Sequence, residues 1–103
     1  MMDGYLLDTH LLIWWRQGNA RKLGKAKAFI ETNRCLASPV SIWEMRQKER
    51  SGQLKLPPGD LMEDFVHTGF IEVPLASTYV EAAFALNSLH SDMYDRLLVG
   101  KKI

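Results

Sequence analysis

The chain holds one cysteine, Cys35, so it cannot form an internal disulfide, which fits a reducing compartment. Its apolar runs, such as Leu11 to Trp15, fall far short of the roughly 20 residues a membrane-spanning helix needs. The opening Met1-Met2-Asp3-Gly4 has no basic region leading into an apolar stretch, so no secretory signal is read there. Together these absences predict a cytoplasmic protein. An excess of one charge is also lacking. A formal net charge of +1 sets up no global field that demands nucleic acid, although a local basic patch fits within a balanced total. There is no glycine-rich phosphate loop, no nucleophile motif around a serine or the cysteine, no internal repeat and no low-complexity segment. His10, His67 and His90 show no metal-ligand spacing with one another or with Cys35, which argues against a zinc site.

What is present suits one domain. At 103 residues and 47% hydrophobic composition the chain has enough apolar material for a single core. A domain this small buries a lesser share of its surface than a large one, so modest stability is expected. Tyr5-Leu6-Leu7 is a continuous apolar run, the pattern of a strand covered on both faces. Asp8 or Thr9 can cap a helix from 10 to about 16, which Gly18-Asn19 breaks. A second helix is predicted from 22 to about 31, with Leu23, Ala26, Phe29 and Ile30 on one face. Cys35-Leu36-Ala37 reads as a strand. Ser38-Pro39 then supplies an N-cap and a first-turn proline for a helix to about Arg50. Pro57-Pro58-Gly59 is a loop, Asp60 caps a helix to about His67, and Phe70-Ile71-Glu72-Val73 is a third strand. Ser77 or Thr78 opens a further helix, and Asp92 a last one over 93–100. Strands separated by helices predict an α/β fold with a parallel sheet, whose functional edge lies at the carboxyl ends of the strands.

Three carboxylates recur at that edge. Asp8 follows the first strand, while Glu44 and Asp95 fall in early turns of helices that follow connectors. Clustered carboxylates suit a hard divalent cation such as Mg²⁺ or Mn²⁺. Each has an ordinary alternative. Asp8 serves equally as an N-cap. Glu44 can close a capping box with Ser41, although the Ser38-Pro39 start puts Glu44 past the first turn. Asp92 and Asp95 can be helix-start charges, and Arg96 a surface ion pair. His10 on an apolar helix reads as a packed histidine rather than a ligand. Trp14, Trp15 and Trp43 read as core or interface anchors rather than stacking platforms. Arg46, Lys48 and Arg50, with Lys55 nearby, read first as a solvated helix end and second as a phosphate-contacting rim.

Four stretches taken in order carry a family resemblance: Leu6-Leu7-Asp8-Thr9-His10 with Leu12 and Trp14; Ser38-Pro39-Val40-Ser41-Ile42-Trp43-Glu44; Gly52-Gln53-Leu54-Lys55-Leu56-Pro57; and His90-Ser91-Asp92-Met93-Tyr94-Asp95-Arg96-Leu97-Leu98. The chain resembles PIN-domain proteins, and more narrowly the VapC-type toxins of prokaryotic type II toxin–antitoxin systems. The resemblance implies a Mg²⁺- or Mn²⁺-dependent endoribonuclease that cleaves RNA, acts as a homodimer and is neutralised by a cognate antitoxin. It implies Asp8, Glu44 and Asp95 as catalytic metal-binding residues, with Thr9, Asp92 and Arg96 as accessories. Met93 stands where many relatives have proline. Relatives also continue into a fourth strand and a further acidic residue, whereas this chain stops at Lys101-Lys102-Ile103. The expectation is therefore a PIN-like parallel sheet lacking the C-terminal strands, with one edge of Tyr5–Leu7 unpaired. The alternative expectation is a catalytically inactive, shortened remnant that only binds antitoxin or other protein partners.

Overall fold

The computed structural model describes residues 3–87 and 100–103. In chain order it contains β1 (Tyr5–Leu7), α1 (Thr9–Arg16), α2 (Ala20–Leu23), α3 (Ala26–Thr32), β2 (Cys35–Ala37), α4 (Pro39–Arg50), α5 (Leu61–His67), β3 (Ile71–Glu72), α6 (Ser77–Asn87) and β4 (Gly100–Lys102). The sheet order is β3-β2-β1-β4. β1 and β2 run parallel with Tyr5 opposite Cys35 and Leu6 opposite Leu36, and β2 and β3 run parallel with Leu36 opposite Ile71. The mixed α/β architecture with three parallel strands agrees with the alternation in the sequence. None of the described helices is long and apolar enough to cross a membrane.

Side chains alternate across a strand, so the apolar run of β1 feeds two cores. Leu7 joins Leu11, Leu12, Cys35, Ala37 and Met45 in the layer under α1, α3, α4 and α5. Leu6 joins Leu36, Val73, Ala82, Ala83 and Leu86 in the layer under α6. A strand enclosed on both faces needs no polar position, which is why β1 and β2 read as unbroken apolar runs. Within the first layer the Cys35 thiol is pushed up to about 11 by burial, so it stays protonated and packs as a small apolar group.

Two expectations are corrected. The segment predicted as one helix over 22–31 is two: Gly24 at φ 54° ends α2, and the chain restarts at Ala26. Such a φ is left-handed backbone, which no helix interior tolerates. The second correction concerns the open edge expected for β1. Gly100–Lys102 pairs with it antiparallel, Leu7 opposite Gly100 and Tyr5 opposite Lys102, so a C-terminal strand is present and β1 has a neighbour on each side. The pairing extends outward through reciprocal bonds between Gly4 and Ile103, at 3.0 and 2.8 Å. Lys102 Nζ lies 2.7 Å from Asp3 Oδ1 and 4.8 Å from the centre of the Tyr5 ring. Gly100-Lys101-Lys102 lacks both apolar alternation and β-branched residues; the unsatisfied backbone of β1 makes it a strand. Finally, the expected helix over 93–100 lies outside the described residues except for Gly100, which is in β4.

Candidate active site

The parallel strands point their carboxyl ends at one pole of the molecule, and there Asp8 sits directly after β1. It is the N-cap of α1 in extended conformation, and its Oδ1 accepts a 2.8 Å bond from the His10 amide. The His10 ring lies on the same oxygen, Nδ1 to Oδ1 at 3.1 Å. A carboxylate only accepts, so this contact puts a proton on Nδ1. Asp8 is buried to 2% exposure, and its second oxygen, Oδ2, has no hydrogen-bond partner among the described residues. An orphaned polar atom of this kind costs about 1–3 kcal/mol, more when charged. The capping and ligand readings of Asp8 are thus divided between its two oxygens.

Thr9, the next residue, is buried at the first turn of α1, and its Oγ1 lies 2.9 Å from Ser41 Oγ and 2.8 Å from Glu44 Oε2. The single Thr9 proton must go to the carboxylate, which only accepts, so the Ser41 hydroxyl supplies the proton of the other bond. The chain from Ser41 through Thr9 to Glu44 thereby ties α4 to α1 and fixes one Glu44 oxygen beside the residue that follows Asp8. Glu44 is available because α4 starts early. Ser38 is the N-cap, with its Oγ accepting from the Val40 amide at 3.1 Å, and Pro39 opens the helix. That puts Ser41 in the first turn and Glu44 one turn further on the same face, so the two make no capping box.

Two of the three expected carboxylates are therefore brought to one pole. Asp95, with the accessory Asp92 and Arg96, lies outside the described residues. Among the described residues no three His, Cys, Asp or Glu side chains gather into a metal-holding group. The donor set at the pole consists of hard oxygens, and one of them, Asp8 Oδ2, is buried and lacks a partner among the described residues; both features fit Mg²⁺ or Mn²⁺.

His10 and Ser41 are site neighbours that the sequence reading undervalued. His10 is exposed rather than packed in the core, and touches Asp8. Its one signal is its position two residues after a capping aspartate. Ser41 is buried and bonds to Thr9, a role visible only once α1 and α4 are packed together. Trp43, expected as a core or interface anchor, stands 65% exposed on α4. Trp14 and Trp15 pack against the core as expected. No protein-family model, curated protein or solved structure matches the chain.

Proposed function

We propose that the chain is a metal-dependent endoribonuclease of the PIN-domain, VapC-like kind, restrained by a cognate antitoxin and acting as a homodimer. The observation that carries this reading is the buried Asp8 Oδ2, without a partner among the described residues, at the carboxyl end of the central parallel strands. A carboxylate kept this way in a fold is best accounted for by a cation that takes the remaining oxygen. The resemblance in four ordered stretches supplies the substrate class.

Mg²⁺ or Mn²⁺ bound there would neutralise the scissile phosphate and activate the attacking water. Asp8 presents Oδ2 while its Oδ1 is held by the His10 amide, so the carboxylate cannot rotate away. Thr9 holds Glu44 by one oxygen and thereby orients it, either toward the cation's water shell or toward the attacking water. Asp95 is the third ligand expected from the sequence, with Asp92 and Arg96 beside it.

The test pairs binding with chemistry. Millimolar Mn²⁺ should raise the unfolding midpoint of the wild-type chain, by about 2.7 kcal/mol of stability at a hundred times Kd. Asp8→Asn should abolish that rise and lower Mn²⁺-dependent cleavage of a mixed-sequence RNA about a hundredfold or more. A chain that neither gains stability with Mn²⁺ nor cuts RNA, yet binds the product of an adjoining antitoxin gene, would sink the enzyme reading. The non-catalytic partner-binding chain would then replace it.

A further inference from the structure

The outer face of α4 combines features that the Asp8 site does not use. Ser41 and Met45 turn inward and are fully buried. Trp43, Gln47 and Arg50 follow at i, i+4 and i+7 and are all exposed, forming one stripe along the helix. Tryptophan is a residue that folding usually covers, so 65% exposure leaves a large flat ring in water. Its neighbours on the stripe are an amide and a guanidinium, not apolar groups. The other large exposed apolar side chains among the described residues, Val66, Leu75 and Phe84, lie outside α4. Lys48 and Arg50 have no carboxylate partner among the described residues. Arg46 is fixed by Glu49 at 3.0 Å and by the Gly59 carbonyl at 2.7 Å. The stripe therefore presents a π-face, a base-edge partner and unneutralised positive charge. Trp43 also immediately precedes Glu44, so its Cα lies about 100° around the helix and 1.5 Å along the axis from that of Glu44.

We propose that Trp43, Gln47 and Arg50 form a stacking platform that holds single-stranded RNA beside the Asp8–Glu44 site, with Lys48, one turn beyond Glu44, on the Glu44 side of α4. The inference rests on the ribonuclease reading and names how its substrate is held. A base stacks on Trp43, whose ring accepts any base because every base has a π-face. Lys48 and Arg50 receive the backbone phosphates that follow, and Arg50 can also stack. Charge complementarity selects this occupant. A protein that docked on Trp43 through apolar contact would have to cover Gln47 and Arg50 with it, whereas a polyanion with flat bases matches all of them.

The experiment separates platform from chemistry. Fluorescence anisotropy of a labelled twelve-nucleotide RNA is followed against Asp8→Asn protein in EDTA, where nothing is cut. Adding Trp43→Ala should weaken binding about tenfold or more, and Trp43→Phe should restore most of it. Replacing Lys48 and Arg50 together by glutamine should flatten the slope of log K against log salt by about 1.4, the value for two lost phosphate contacts on a single strand. Unchanged affinity in Trp43→Ala overturns the proposal. So does a Trp43→Ala protein whose oligomeric state changes in gel filtration while its RNA affinity does not, since the ring then belongs to a protein contact. If RNA binds through Trp43 but Mn²⁺ never yields cleavage in the wild-type chain, the nuclease reading falls and the platform stands. If cleavage proceeds in Trp43→Ala with an unchanged KM, the platform falls and the nuclease stands.

Discussion

At the scale of single residues, the site is built on shared hydrogen bonds, and Thr9 has the least slack. Its one hydroxyl serves both Ser41 and Glu44 from a buried position. Replacing it by valine keeps the volume and removes both bonds, leaving a buried Ser41 hydroxyl without its Thr9 acceptor. Thr9→Val should therefore cost about 1–3 kcal/mol in urea unfolding, with Thr9→Ser costing less. If the site works as proposed, Thr9→Val should also lower kcat more than it raises KM, because the loss is in how Glu44 is oriented. A Thr9→Val protein as stable as the wild type would mean that Ser41 and Glu44 find other partners. The same residues show what sequence alone conveys. Asp8 is legible as a cap or as a ligand, and the cap does not decide between them, because it uses only one oxygen of the carboxylate. Glu44 was separable from its capping-box alternative, because Ser38-Pro39 is a strong enough start to fix the phase of α4. His10 was misread because an exposed ring bound to a neighbouring cap and a buried ring on an apolar face look alike in sequence.

At the scale of elements, legibility follows how local the cause is. α4 and α5 lie within a residue or two of expectation because their caps, Ser38 and Asp60, act within their own first turns. The predicted helix over 22–31 failed at Gly24, where the apolar spacing continues and only the backbone departs from it. β4 was illegible because its cause is remote: two lysines and a glycine become a strand by satisfying the outer edge of β1. The side-chain bridge to Asp3 lowers that carboxyl from its usual range and raises the Lys102 amine, chiefly through their mutual hydrogen bond. Its contribution is present above the ordinary carboxylate pKa and is lost as pH falls through the lowered one, and salt screens it. The backbone ladder does not titrate and should carry the strand. Deleting residues 100–103 should thus expose the edge of β1, and light scattering should detect self-association that the full chain does not show. A deletion variant that stays monodisperse would show that the edge is covered by something other than β4.

At the scale of the whole molecule, the α/β order was readable because unbroken apolar strands and capped helices alternate along the chain. The sharing of one three-residue strand between two cores was not readable from any single stretch. Leu6 and Leu36 belong to the α6 layer, while Leu7, Cys35 and Ala37, their sequence neighbours, belong to the other. The two layers are therefore held by the same backbone segments, and neither can loosen without disturbing the register of the other. Leu36→Ala tests this. Leu36 is fully buried in the α6 layer, so truncation should cost about 2–5 kcal/mol. Trp14 and Trp15 pack against the opposite layer, and their fluorescence reports on a core that Leu36 does not enter. In a cooperative molecule the fluorescence and the far-ultraviolet dichroism of Leu36→Ala should shift together to lower urea with one midpoint. Two separated midpoints would mean that the α6 layer melts first and that the sheet does not couple the cores. The Asp8 pole would then rest on the α1–α4 layer alone, since Thr9, Ser41 and Glu44 all belong to its helices.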